Sequence, residues 1–213
     1  MKRAGVTDLV SVSACGSFRE ALSPGTFVLV DQFVDRTFAR EKSFFGAGCV
    51  AHVSLADPVS PGLVKHIEAA AKAEDIPYQR GGTYLVMEGP QFSTRAESHL
   101  YRSWGCDVIG MTNMPEAKLA REAEICYATV AMVTDYDCWR EGEDDVDIQS
   151  VLANLKKNAH RAQELLQDLL SRMSSQPREC GCGSACQFAI ITAPDRRPSE
   201  TVEKLRVLLP RHF

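Results

Sequence analysis

The sequence has no apolar run long enough to cross a bilayer as a helix, and its basic start, Met1-Lys2-Arg3, is cut off from any signal-peptide core by Thr7 and Asp8. A helical membrane span is excluded, no membrane partner is expected, and the expected location is cytoplasmic. Excess positive charge is missing too. The 24 Lys and Arg against 28 Asp and Glu give a formal net charge of -4 and a pI near 5.8, which offers no footprint for nucleic acid. Internal repeats and low-complexity tracts are absent. The Cys-x-x-Cys grip usual for structural zinc is absent as well, although the chain holds eight cysteines. Without a secretory start a disulfide framework is not expected. Cys106, Cys126 and Cys138 adjoin strand-like runs, where cysteine packs as a small hydrophobe. Cys180, Cys182 and Cys186 crowd a Pro- and Gly-rich stretch, where they could bind a metal, form a redox bridge or simply occupy a loop. The expectation is no metal.

What is present suffices for one α/β domain over residues 1-213, 45% of them apolar. Asp8 to Ala14 alternates as a strand and runs into the small-residue turn Cys15-Gly16-Ser17. Further strands are expected at Thr26 to Val34, Cys49 to Leu55, Gly82 to Glu88, Asp107 to Met111 and Tyr127 to Thr134. Pro61 opens a helix over Gly62 to Ala73, with Val64, Ile67, Ala70 and Ala71 on one face. Thr94 and Glu97 form a capping box for a helix stopping at Gly105, and Asn113 to Glu116 is a second cap signature with Pro115 in the first turn. Asp147 caps the longest helix, whose apolar period runs from Ile148 to Leu170, and a short amphipathic element follows at Glu200 to Leu209.

The most informative stretch is Val133-Thr134-Asp135-Tyr136-Asp137-Cys138-Trp139. Two carboxylates follow an apolar strand directly, and buried acids need partners or a raised pKa to remain there. Period-two spacing puts both on one face of an extended segment, where one can take an exocyclic amine's hydrogens and the other can pass a proton to a ring nitrogen. Alone, the pair would read as a solvated acidic turn. Three other strand ends join it, since ligands of open α/β sheets gather beyond carboxyl ends. Ser13-Ala14-Cys15-Gly16-Ser17 offers a hydroxyl and small residues through which backbone N–H groups can approach an anion. Phe92 can stack on a flat heterocycle, with Ser93 beside it. Met111 supplies a soft apolar floor, Thr112 a hydroxyl at a helix N-terminus and Glu116 an acid for sugar hydroxyls.

The blocks SACGSFRE, DQFVDRT, MEGPQFSTRAES, GMTNMPEAKLARE, TDYDCW and VLLPRH, in this order, span almost the whole chain. With them the sequence resembles the trimeric branch of the purine nucleoside phosphorylase family, in particular its members acting on 5′-methylthioadenosine. The resemblance implies a nucleoside phosphorylase fold with a central mixed β-sheet flanked by helices. It also implies phosphorolysis of S-methyl-5′-thioadenosine to adenine and 5-methylthioribose 1-phosphate. Inorganic phosphate is then a co-substrate, and no metal or organic cofactor is needed. Carried over by position, Ser13, Ala14 and Thr112 contact phosphate, Met111 lies against ribose and base, and Glu116 is near the sugar hydroxyls. Phe92, Tyr136, Val151 and Leu152 line the substrate. Asp135 and Asp137 hold the adenine edge and do the acid-base work, Asp135 reaching N7 and N6.

Ser93 matches a position setting base specificity. Ile148 falls where similar 6-oxopurine enzymes have a histidine, and an apolar residue there suits a methylthio group. The homotrimer implied by the resemblance would bring in His52 and Leu208 from a neighbouring subunit. Family members resemble one another in an N-terminal Gly-rich phosphate loop and a later Arg-His motif. Neither is in these residues, so the first strands of the fold are expected to be missing and turnover to be weak. The alternatives are a 6-oxopurine phosphorylase, which would call for an amide at Asp137, and a purine-binding fragment without catalysis.

Overall fold

The ten-residue run Cys126–Asp135 is apolar on both faces and is buried along its length except at its last residue, as a strand covered on both sides must be. The computed structural model of the chain describes residues 1-140, 148-173 and 180-213. In it this strand, β7, lies in a seven-stranded mixed sheet with β1 (Asp8–Ser17), β2 (Phe27–Leu29), β3 (Gln32–Arg36), β4 (Tyr78–Arg80), β5 (Thr83–Met87) and β6 (Val108–Gly110). The order is β3-β5-β6-β1-β7-β2-β4. Pairing is antiparallel at β6·β1 and β7·β2 and parallel elsewhere.

The expected strand at Thr26 to Val34 is in fact two, because Val30-Asp31 turns the chain, with the Asp31 and Gln32 amides both donating to Gly82 O at 3.3 Å. β2 and β3 then sit near opposite ends of the strand order, although the step from Leu29 to Gln32 can reach only about 10 Å. The sheet must therefore curl so that its ends approach one another. β4 and β5, separated only by Gly81 and Gly82, make the same crossing. Short β4 was not expected. The strand expected at Cys49 to Leu55 does not form. That segment makes isolated bridges, Ala51 facing Ile190, with the His52 amide donating to Ala189 O at 2.9 Å.

Among the described residues there are five α-helices: α1 (Pro61–Ala73), α2 (Arg95–Ser103), α3 (Asn113–Glu122), α4 (Ile148–Met173) and α5 (Ser199–Arg206). α1 starts where its sequence says, with Pro61 in the first position and the Ser60 hydroxyl accepting from the Leu63 amide. Thr94 and Glu97 make both halves of the capping box on α2, and Gly105 follows its end at φ +81°. The second cap signature behaves differently. Thr112 makes no side-chain cap and Met114 is extended, so regular helix begins only at Pro115. Asp147 lies outside the described residues. α1 and α4 bury Ile67, Leu165 and Leu169 against one face of the sheet, while Ala117 and Ala120 of α3 pack with Tyr84, Val108 and Val133 on another. Phe18, Leu85, Tyr101 and Trp139 form a third cluster beneath α2.

Candidate active site

β1 and β7 run in register from Asp8 opposite Cys126 to Cys15 opposite Val133, and then the register slips so that Gly16 faces Asp135. Irregularities of this kind re-aim side chains next to sites. At Gly16 a Cβ would stand 3.0 Å from Asp135 Oδ1 and 3.2 Å from Asp137 Cβ. The glycine leaves room for the two acids.

The acids do not share an extended face as expected. The strand ends at Asp135, and Asp137 adopts φ +50° at the start of a 3-10 turn. They meet locally instead, since the Asp137 amide donates to Asp135 Oδ1 at 2.9 Å and Thr134 Oγ1 donates to Asp135 Oδ2 at 2.7 Å. The fully buried Ser98 hydroxyl of α2 donates to Asp137 Oδ2. Burial raises the Asp137 pKa, Ser98 opposes the shift and the Asp135 charge adds to it. Asp137 is thereby fitted to carry a proton. The turn is pinned by Trp139, whose Nε1 donates to Ser17 O at 2.7 Å under the Arg102 guanidinium, 3.9 Å from the ring centre. Tyr136 belongs to this pinning. Its hydroxyl donates to Glu20 O at 3.3 Å and Arg140 lies 4.3 Å over its ring.

The second group forms further back along β1. Ser13 Oγ is 3.5 Å from the hydroxyl of Tyr84, and the Thr112 side chain lies beside that same hydroxyl. Tyr84 is fully buried, and a methyl at Gly110 would overlap its hydroxyl. Burial, aided by Cys15, pushes its pKa up to about 12, so it stays a neutral donor. β6 runs antiparallel to β1 with Gly16 opposite Ile109. Gly110, at the end of β6, lies against Ala14, since a Cβ there would stand 3.4 Å from Ala14 O, and Met111 and Thr112 follow it directly. In a mixed sheet the candidate residues therefore do not gather at one carboxyl edge. They line a strip along β1 from Ser13 to Gly16, about 10 Å at strand rise.

Arg40 holds the far side of the strip. Its Nη1 donates to Met111 O and Met114 O, both at 2.6 Å, and its Nη2 to Glu88 O at 2.7 Å and Met87 O at 3.3 Å. One guanidinium thus fastens the ends of β5 and β6 to the start of α3. Met111 packs beneath Gly89, where a Cβ would lie 2.6 Å from its sulfur. Glu116 is exposed and accepts from Tyr127 Oη at 2.9 Å, which in turn accepts from Asn113 Nδ2 at 2.8 Å.

The remaining expected residues are spread around this strip. Phe92 is 71% exposed and Leu152 57%. Ser93 Oγ donates to Met87 Sδ at 3.4 Å. The Ile148 and Val151 side chains lie outside the described residues. Leu208 shares a cavity of about 560 Å³ with Ser11 and Glu116, whereas exposed His52 lines a different one of about 310 Å³ with Lys42, Lys118 and Arg121. The sequence reading missed Arg40, Tyr84 and Ser98. Only Tyr84 carried a signal, a tyrosine inside an apolar strand whose hydroxyl must find a partner.

A strip of this kind, with an acid pair at one end and hydroxyls at the other on a curled mixed sheet, fits what comparison with known proteins returns. The chain belongs to the phosphorylase superfamily, whose model matches residues 1-171. It is 60% identical to the S-methyl-5′-thioadenosine phosphorylase of Bradyrhizobium diazoefficiens and 59% identical to that of Cereibacter sphaeroides, covering in each case 99% of this chain and 73% of the relative. Among solved structures, a methylthioadenosine phosphorylase from an antarctic soil metagenomic library superposes with a TM-score of 0.92 at 46% identity, over 97% of this chain and 73% of that one. The methylthioadenosine phosphorylase of Schistosoma mansoni in complex with adenine gives 0.81 at 32% identity, over 86% and 72%.

Proposed function

We infer that the protein is a pentosyltransferase that cleaves S-methyl-5′-thioadenosine with inorganic phosphate, giving adenine and 5-methylthioribose 1-phosphate. The observation that carries this reading is the strip along β1. Its length of about 10 Å suits a nucleoside with phosphate beneath it, with acids at one end and neutral hydroxyl donors at the other. Phosphate sits at Ser13, Ala14 and Thr112, the ribose passes over Met111 towards Glu116, and adenine reaches Asp135 and Asp137. Phe92, exposed beside Ser93, closes over the base. As the glycosidic bond loosens, the ribose becomes cationic and the purine anionic. Phosphate stands beside the developing cation, and the acid pair shares a proton with N7, which lowers the leaving group's charge. Asp135 faces N7 and the 6-amino group, and Asp137, whose carboxyl favours its proton, holds the proton that the pair shares. No step calls for a metal or an organic cofactor.

We place the enzyme in the cytoplasm as a homotrimer, with His52 and Leu208 reaching a neighbour's pocket. No helix among the described residues is long and apolar enough to cross a membrane, and the acidic balance gives nucleic acid no hold. The test is adenine release from methylthioadenosine with and without phosphate, set against hypoxanthine release from inosine. Phosphate-dependent cleavage of the first in strong preference to the second is expected. Equal cleavage, or preference for inosine, would overturn the assignment.

A further inference from the structure

At the opposite end of β7 from the acids, three thiols from distant parts of the chain come together. Cys126 opens the strand, Cys180 and Cys182 belong to the segment after α4, and the three sulfurs all lie within 4.8 Å of one another. Cys126 Sγ and Cys180 Sγ are 3.0 Å apart. Cys126 and Cys182 are buried, and Cys180 keeps one side towards solvent. Cys186, which the sequence groups with them, turns instead to donate to Glu122 O at 3.3 Å. Two further groups face the cluster. The hydroxyl of Ser60 at the head of α1 lies beside Cys182, and so does the positive charge of Arg121.

We propose that Cys126, Cys180 and Cys182 form a binding site for a thiophilic divalent cation, with zinc as the type. A zinc ion about 2.3 Å from each sulfur holds thiolates roughly 3.8 to 4.0 Å apart. The cluster's separations run from below that value to somewhat above it, so small rotations of the side chains suffice. Soft thiolate donors select such ions over magnesium or calcium. Three thiolates and a divalent ion carry one net negative charge, which Arg121 offsets. The open side at Cys180 admits a water as fourth ligand, and Ser60 is a second oxygen within reach of the same corner. Binding exchanges thiol protons for the metal and needs no oxidant. The ion would tie the segment after α4 to the foot of the sheet and the head of α1, so it should act on stability and not on the nucleoside strip.

The test uses the full chain, reduced, stripped of metal and kept free of oxygen, titrated with zinc and in parallel with cobalt(II) as a spectroscopic probe. About one tightly held equivalent per chain is expected. Sulfur-to-cobalt charge-transfer absorption should appear, Cys180, the partly exposed member of the three, should become protected from thiol reagents, and Tm should rise on adding zinc. Cys182→Ala and Cys180→Ser should each lose the zinc-induced Tm rise and at least about tenfold in affinity, while Cys186→Ala keeps both. Cys180→Ser guards the test, because its partly exposed position makes loss of folding the smaller risk. Substoichiometric zinc, retention of tight binding by the Cys180 and Cys182 variants, or cobalt spectra without thiolate charge transfer would overturn the proposal. So would protection that appears without metal and is reversed by dithiothreitol, which would mark a disulfide.

Discussion

The two ends of the nucleoside strip are built in different ways. The acid end is almost local. Asp135 is held by Thr134 and by the amide of Asp137, while Ser98 reaches Asp137 from α2 and Gly16 of β1 leaves the acids their space. The hydroxyl end is assembled from afar. Ser13 of β1, Tyr84 of β5 and Thr112 of the turn between β6 and α3 converge, and Arg40 binds carbonyls of Met87, Glu88, Met111 and Met114. Local construction fixes chemistry in a short run of sequence, whereas distant construction lets the fold set spacing. Damage to the acid end should therefore strike the chemical step with little effect on folding. Damage to the far end should strike both.

The largest effect is expected at the acid end. Asp135→Asn should lower kcat/KM for methylthioadenosine by about 10²- to 10⁴-fold while Tm stays near that of the wild type. A Tm loss of similar severity would erase the contrast between the ends. Next comes Arg40→Ala, which strands several carbonyls and should cost about 3 kcal/mol in urea unfolding together with roughly 10²-fold in kcat/KM from misplacement of Met111. Arg40→Lys should rescue little, because an ammonium cannot span the same fork of acceptors. A smaller change is expected from Tyr84→Phe. Loss of one neutral hydrogen bond should raise KM for phosphate by roughly five- to tenfold and leave KM for the nucleoside nearly unchanged.

The smallest effect is one of pH. The fold raises the Asp137 pKa above its usual 3.8, chiefly by burial. The stability this group contributes is then complete below that value and is lost as pH climbs through the raised native pKa. Asp137→Asn removes the titration, so calorimetric Tm of the variant relative to the wild type should rise over that climb. Parallel curves would show that Asp137 is not held in this way.

The same division decides how much could be read from the sequence. The strand ending in acids was legible because hydrophobic run, carboxylates and anchoring Trp139 are contiguous. Its geometry was misjudged, since a turn at Asp137 and not an extended face joins the pair. The Pro61 start of α1 and the capping box of α2 were legible for the same local reason. Arg40 was not, because backbone carbonyls 47 to 74 residues away carry no residue identity to match. The break between β2 and β3 was hidden as well. Nothing in the apolar run marks Val30-Asp31 as a turn until Gly82 is brought against it. Cys126 reads as a core residue until the fold sets it beside Cys180 and Cys182.

The central claim is that the acid pair reads the 6-amino edge of adenine, and one ratio tests it most directly. Methylthioadenosine and methylthioinosine differ only in that edge, so kcat/KM for the two should be compared in the wild type and in Asp135→Asn. The account predicts that the preference for the amino compound falls at least about tenfold in the variant, since an amide can donate to a 6-oxo group where a carboxylate only accepts. An unchanged ratio, with both substrates slowed alike, would contradict it.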